Sequence, residues 1–325
     1  MKVAINGFGR IGRLVFRRAL EKNVDVVAIN DMMEVEVLAN LLMHDSVYGK
    51  YNKKVETGKN FIKIGDKKIL IFAEKEPEKL PWKDLKVDFV IESTGIFTDK
   101  ESAMKHITAG AKKVLISAPS KDADRMIVLG VNEKDLKKSD QVISMASCTT
   151  NCIAPVVKIL HDKFKITNGY LTTVHAYTGD QRLLDSPHKD ARRARSAAIN
   201  LVPTKSGAAT AVTKVIPSLV GKLDGMAIRA PVPCGSITDL VVTVAKNVTP
   251  EEVNEAIKTG AKKISEVLEY STDDIVSTDI IGNTHSSIFD SKLTKTNKNM
   301  IKVLAWYDNE YGYSCRMVDC LKLLK

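Results

Sequence analysis

The chain has 325 residues, 44% apolar and 27% charged, with 49 basic and 39 acidic side chains for a formal net charge of +10. That is the profile of a soluble globular protein, too long for one comfortable core and suited to two domains. No apolar run approaches the roughly 18 to 20 residues a membrane-spanning helix needs, and Met1-Lys2 leads straight into Val3-Ala4-Ile5 with no signal-peptide pattern, so a cytosolic protein is expected.

In the first half, short apolar runs alternate with helical patterns. Val3–Ile5 reads as a strand, Arg13–Leu20 as a helix, Asp25–Ile29 as a strand and Glu34–Met43 as a helix. Phe61–Ile64 and Ile69–Phe72 read as a hairpin around Gly65-Asp66. Val87–Ile91, Val114–Ile116, Ile127–Leu129 and Val142–Met145 read as strands, with a helix over Glu101–Ala109. The alternation predicts an α/β fold with a Rossmann-type, doubly wound parallel sheet. In the second half a helix is expected from about Thr150 to Lys163, followed by strands at Tyr170–Ala176, Ala227–Arg229, Ile237–Ala245, Ser287–Phe289 and Met300–Tyr307. These are longer and widely separated, which predicts an α+β domain with a mostly antiparallel sheet. Thr249-Pro250-Glu251-Glu252 is a helix start with capping-box chemistry. The expected division is 1–147 and 148–310, with a C-terminal helix over 311–325 packing back on the first domain. There are no internal repeats and no low-complexity segments.

Gly7-Phe8-Gly9-Arg10-Ile11-Gly12 has the G-x-G-x-x-G spacing, follows a strand and opens a helix. Gly7 permits the tight turn, Gly9 lets a pyrophosphate approach the backbone, and Gly12 lets helix and strand pack closely, with the helix N-terminus facing the anion. Asp31 ends the second apolar strand, about 20 residues on, where a carboxylate bonds a ribose 2′-hydroxyl. Its charge opposes a 2′-phosphate, so NAD is favoured over NADP.

Ser147-Cys148-Thr149-Thr150-Asn151-Cys152 sits at a strand-to-helix junction. At a helix N-terminus the dipole and unpaired N–H groups stabilise a thiolate and can hold an oxyanion. The polar neighbours set Cys148 apart from a buried structural cysteine, whereas Cys152, one turn on, is expected to pack inside. A thiolate nucleophile needs a base, and His175 closes the strand Thr172-Thr173-Val174, although spacing alone does not choose among six histidines. The cysteines, five in number and irregularly spaced, argue against a disulfide framework and against a metal site. Scattered lysine pairs read as a solubilising surface. The stretch from Asp180 to Arg195 is different: Arg182, Lys189, Arg192, Arg193 and Arg195 suit phosphate recognition, yet the interleaved Asp180, Asp185 and Asp190 suit a salt-bridged surface or subunit contact equally well.

Taken together these residues resemble the phosphorylating glyceraldehyde-3-phosphate dehydrogenases, across essentially the whole chain. The likeness rests on Asn6 to Arg13, Glu92-Ser93-Thr94-Gly95, Ile116-Ser117-Ala118-Pro119-Ser120 and Ala146 to Cys152. It continues through His175-Ala176-Tyr177-Thr178, Pro187-His188-Lys189-Asp190 and Trp306-Tyr307-Asp308-Asn309-Glu310. The resemblance implies that Cys148 is the nucleophile and His175 its base. It implies that Thr178, Arg229 and Arg193 surround the substrate's phosphate, and that Ser147, Thr149, Ser206 and Gly207 hold inorganic phosphate. Arg10, Ile11, Asp31 and Ser117 match cofactor contacts, and Asn309 the side chain that fixes the nicotinamide amide. It further implies a homotetramer. Three departures stand out: Lys75 where the family often has Arg, Ser206 for the usual Thr, and Ser186-Pro187 for the Leu-Pro of strongly NAD-selective members, so NADP stays open as a second cofactor. The rival readings are an erythrose-4-phosphate dehydrogenase of the same build and a nucleic-acid-binding protein. A 6% aromatic content without aromatic–basic alternation argues against the latter.

Overall fold

The computed structural model describes residues 1–324. Two compact units form, one from Met1–Ile127, Lys134–Ala146 and the stretch beginning at Ser314, the other from Val128–Glu133 and Ser147–Tyr313.

The first unit is built on a nine-stranded sheet in the order Arg125–Met126, Val142–Ser144, Lys113–Ile116, Phe89–Glu92, Lys2–Asn6, Asp25–Asn30, Lys67–Phe72, Phe61–Ile64 and Glu56–Gly58. All pairs from Arg125–Met126 to Lys67–Phe72 are parallel, and the last two strands add an antiparallel edge. The order reverses between Lys2–Asn6 and Phe89–Glu92, the switch point at whose C-terminal edge doubly wound sheets open a crevice. Val3, Ala4, Ile5, Val90, Ile91, Val114 and Leu115 are wholly buried, as strands covered on both faces must be. The helix Arg10–Glu21 buries Leu14, Val15, Phe16 and Ala19, and Phe16 meets Phe8 edge-on with ring centroids 5.5 Å apart.

The second unit is built on a mixed seven-stranded sheet in the order Val202–Lys205, Leu223–Ala230, Ile166–Ala176, Ser236–Val244, Met300–Tyr307, Ser287–Asn297 and Leu268–Ser271. Four of its six strand pairs are antiparallel, but Ile166–Ala176 runs parallel to Leu223–Ala230, and Leu268–Ser271 parallel to Ser287–Asn297. Ser236–Val244 alternates strictly between buried and half-buried residues, the mark of a strand with one face on a core. That core is covered by the helices Cys148–Phe164 and Pro250–Lys263, which pack on each other and on the sheet. The capping box at Thr249 is complete.

Several elements depart from the expected positions. The strand expected at Ile127–Leu129 lies at Arg125–Met126. Ile127 still donates to Ser144 O at 2.8 Å, but the side-chain oxygen of Asn132 then draws the Val128 N–H out of the ladder, at 2.9 Å. The helix expected from Thr150 begins at Cys148. Val202–Lys205 was not anticipated because Pro203 argues against a strand; as an edge strand it tolerates the missing donor. Helix Ala208–Val215 was not expected either; its Ala208, Ala209 and Ala211 favour a helix, and its Thr and Val residues weaken that signal. The C-terminal helix runs Tyr311–Leu323; residue 325, included in the expected helix, lies outside the described residues. Among the described residues no helix is long and apolar enough to cross a membrane.

Candidate active site

Cys148 is the first residue of its helix. Ala146 turns the chain in the left-handed region at φ 54°, an uncommon conformation for a residue with a Cβ. Ser147 then caps the helix, its Oγ accepting from Thr150 N at 3.1 Å. This geometry places the Cys148 thiol on the first turn, where backbone N–H groups lack intrahelical partners. Its Sγ lies 3.4 Å from Nε2 of His175. His175 is the penultimate residue of the strand Ile166–Ala176 and is itself buried. The parallel pairing with Leu223–Ala230 sets Arg229 directly beside it in register.

The proton on His175 is contested. Nδ1 lies 2.7 Å from the carbonyl oxygen of Ala176 and 2.6 Å from Nη1 of Arg229. The first contact needs a proton on Nδ1, and the second needs a lone pair there. Arg229 Nη1 also donates to Ala176 O at 3.1 Å. Burial pushes the imidazole down to about 3, the Arg229 cation adds to the shift, and the hydrogen bond to Ala176 O opposes it. Burial also pushes the Cys148 thiol up, while Arg229 and the hydrogen bonds from Thr149 pull it down. The residue as a whole is half-buried. A helix start favours a thiolate, and burial opposes it. Cys152 is buried and its thiol is raised to about 12, as expected of a structural cysteine.

Thr149 is buried, and its hydroxyl shares a hydrogen bond of 2.8 Å with Tyr307 Oη. Arg193 pairs with Asp180, and its Nε donates to Thr204 Oγ1 at 2.9 Å. The interleaved aspartates thus engage at least this arginine, and Arg195 pairs with Asp185 at 2.8 Å. Ser206 Oγ accepts from Ala208 N at 3.2 Å, and Gly207 caps the helix Ala208–Val215 with open space where a Cβ would stand. Thr178 lies in the loop after His175, its carbonyl accepting from Gln181 N at 2.9 Å. Asn309 is buried, and its Oδ1 accepts from Gly235 N at 3.2 Å and Ser236 Oγ at 2.9 Å. The side chain is thereby oriented, with Nδ2 as its other end.

In the first unit, Gly7, Gly9 and Asp31 line a cleft of about 560 Å³ with Asn6, Lys75 and Ile96. Gly7 has φ 90°, and a Cβ there would lie 2.6 Å from Thr94 N. A Cβ at Gly12 would lie 2.1 Å from Gly7 O, so helix and turn touch only because it is absent. At Gly9 the same position is open, and this N-cap supplies no side-chain bond to the helix. Asp31 accepts from Phe8 N at 2.7 Å and Met33 N at 3.1 Å. Arg10 pairs with Asp45 at 2.7 Å, half-buried Ile11 follows it on the helix, and Ser117 N donates to Glu92 O at 2.9 Å.

A glyceraldehyde 3-phosphate dehydrogenase NAD-binding domain model matches residues 1–100, and the C-terminal domain model of the same family matches 147–309. The chain is 56% identical over 328 residues to a glyceraldehyde-3-phosphate dehydrogenase of Thermotoga maritima, covering 99% of this chain and 98% of the relative. It is 51% identical over 333 residues to that of Borreliella burgdorferi, covering 100% and 99%. With that of Geobacillus stearothermophilus the identity is 52% over 323 residues, covering 98% and 96%. The chain belongs to the glyceraldehyde-3-phosphate dehydrogenase family.

Within this family member, sequence reasoning overlooked Tyr307. Its hydroxyl bridges Thr149 Oγ1 and Thr173 Oγ1, each at 2.8 Å, and its ring meets His175 edge-on at 5.8 Å. The available signal was its place beside Asn309 in a segment already singled out, but nothing local says that the ring reaches strand Ile166–Ala176. Ser236 was overlooked too; it joins Ala176 N, at 3.1 Å, to Asn309 Oδ1. Tyr307→Phe keeps the ring and removes the hydroxyl that both threonines share, while Thr173 Oγ1 keeps its bond to Ile237 O at 3.2 Å, so unfolding free energy is expected to fall by about 0.5 to 1.5 kcal/mol. A urea unfolding midpoint equal to the parent's would show that the bridge contributes nothing.

Proposed function

We propose that the chain is a phosphorylating glyceraldehyde-3-phosphate dehydrogenase. It oxidises D-glyceraldehyde 3-phosphate with NAD and inorganic phosphate to 1,3-bisphosphoglycerate, in the cytosol. The observation that carries this reading is the Cys148 thiol at a helix start, 3.4 Å from a histidine ring nitrogen, in a member of this family.

The residues present suit the cofactor. The open face over Gly9 and the uncapped helix N-terminus suit a pyrophosphate. Asp31 in the cleft suits a ribose hydroxyl and disfavours a 2′-phosphate. Arg10, Ile11, Gly12 and Ser117 complete the proposed holding set, and the orientation of Asn309 leaves Nδ2 to donate to a carboxamide oxygen. When bound, NAD supplies the hydride acceptor.

Cys148 Sγ attacks the aldehyde carbon, its proton passing through His175 Nε2 to the new alkoxide, and Nε2 then takes the hydroxyl proton as that carbon is oxidised. That role needs the tautomer with the proton on Nδ1. The substrate's phosphate helps to supply it: a dianion held by Arg229, with Thr178 and Arg193, competes for the guanidinium now lying against Nδ1. Nδ1–H then donates to Ala176 O, and Nε2 presents its lone pair to the reacting hydroxyl. The Cys148 N–H and the His175 ring stabilise the oxyanion. Oxidation leaves a thioester on Cys148, which inorganic phosphate held by Ser147, Thr149, Ser206 and Gly207 attacks, releasing the acyl phosphate and the thiol.

A homotetramer is part of this reading. It is supported by Leu183, Leu184, Ile199 and Leu201, which are 75%, 75%, 79% and 68% exposed on one irregular stretch of this chain. Sedimentation equilibrium should give four times the chain mass, and a monomer would remove this part.

Steady-state assays should show NADH formation from glyceraldehyde 3-phosphate that requires inorganic phosphate; phosphate-independent turnover would favour a non-phosphorylating or hydrolytic dehydrogenase. Cys148→Ser should keep NAD binding and retain less than about a hundredth of parental turnover, and higher retention would exclude Cys148 as nucleophile. His175→Asn should lose about 10² to 10⁴ in rate and react more slowly with iodoacetamide at Cys148. Unchanged alkylation near neutral pH would take His175 out of the role of thiol partner.

A further inference from the structure

Behind the glycine turn lies a buried polar cluster that the chemistry above does not use. Asn6, Asn30 and Glu92 end three adjacent parallel strands and stand level with one another in register. His106 and Trp82 close the row. Glu92 is 1% exposed, and His106 and Trp82 are 0% exposed. A carboxylate this deep must be matched by donors or it destabilises the fold.

Asn6 Nδ2 lies 3.3 Å from His106 Nε2, and the indole on the far side of the ring decides which nitrogen carries the proton. The Trp82 indole can only donate, so its contact of 3.0 Å makes His106 Nδ1 an acceptor. The ring's single proton then sits on Nε2 and is donated to Glu92 Oε2 at 3.1 Å. The same oxygen accepts from Asn6 Nδ2 at 2.6 Å. Glu92 Oε1 accepts from both N and Oγ1 of Thr94. Four donors on two oxygens suit an ionised carboxylate. An amide in its place would turn an NH₂ group toward donors whichever way it faced.

Two of the donor residues, Asn6 and Thr94, lead to walls of the cofactor cleft. Asn6 Oδ1 accepts from Asn30 Nδ2 at 2.7 Å. The Asn30 amide also pairs with the backbone of Glu74, donating to its O at 2.8 Å and accepting from its N at 2.9 Å. Glu74 and Lys75 form one wall. Toward the other wall, Thr94 Oγ1 accepts from Ile96 N at 3.0 Å, and Ile96 and Phe97 line that side. Asp31, the proposed ribose partner, lines the same cleft, so the space between these walls suits the adenosine half of a dinucleotide.

We infer that Glu92, held by His106 and Trp82, is a positioning residue that sets the spacing of the two walls and so the affinity for the adenosine half of NAD. It does so without touching the ligand. The inference rests on the NAD-binding reading of this cleft.

Calorimetric titration of the ligand-free protein with NAD and with ADP-ribose tests it. Glu92→Gln should weaken both ligands by the same factor, about tenfold or more, with kcat at saturating NAD within about twofold of the parent. Should that variant fail to fold, His106→Gln, which keeps a donor toward Glu92, is compared with His106→Leu, which does not; the Gln variant should bind both ligands more tightly. Variants that melt earlier yet bind both ligands like the parent would make the cluster merely structural and overturn the inference. Loss of NAD affinity with ADP-ribose unaffected would overturn it as well. A parent protein binding neither ligand would instead refute the cofactor reading itself, and this inference with it.

Discussion

Nδ1 of His175 can carry one proton, and two neighbours make opposite demands on it. The carbonyl of Ala176 asks for a donor at 2.7 Å, and the guanidinium of Arg229 asks for an acceptor at 2.6 Å. What stands at Nε2, 3.4 Å from the Cys148 sulfur, follows from how that contest is resolved. The fold sets it up through a single topological choice. Ile166–Ala176 and Leu223–Ala230 run parallel, and the register pairs His175 with Arg229. Burial, and after it the cation built into the neighbouring strand, push the imidazole down.

Buried hydrogen bonds tie the surroundings of the pair together. Tyr307 spans Thr149 and Thr173, tying the start of the helix Cys148–Phe164 to the strand that carries His175. Ser236 links Ala176 to Asn309. Buried hydroxyls in series hold their partners to narrow geometries, because any displacement leaves a polar group unsatisfied in a poorly solvating interior. Burial raises the Cys148 thiol, while Arg229 and Thr149 lower it.

The dinucleotide unit solves a different problem by a similar device. Parallel strands end level, and at that level the chain places Asn6, Asn30 and Glu92 where the preceding residues are aliphatic. A row of polar ends inside a dry sheet must pair with itself, and the pairing reaches outward to the loops that form the cleft. The repeated Val-Ala-Ile-Asn of residues 3–6 and 27–30 is the trace of this arrangement in the sequence.

Much of this was legible in one dimension. The glycine spacing after a strand, Asp31 at the next strand end and Cys148 among small polar residues at a helix start each carry a local physical meaning, because turns, helix ends and strand ends are short-range objects. The strand–helix alternation likewise prescribed the parallel sheet of the first unit. Pairings between distant strands have no such local trace. That His175, rather than another histidine, meets Cys148 followed from motif resemblance and not from spacing; the contact itself spans 27 residues. Arg229 beside His175, Tyr307 beneath Thr149, and the burial that raises the thiol and lowers the imidazole all depend on sheet register and enclosure. The sequence determined which groups are available. Tertiary structure decided which of them share a proton, since that depends on distances of about 3 Å between segments far apart in the chain.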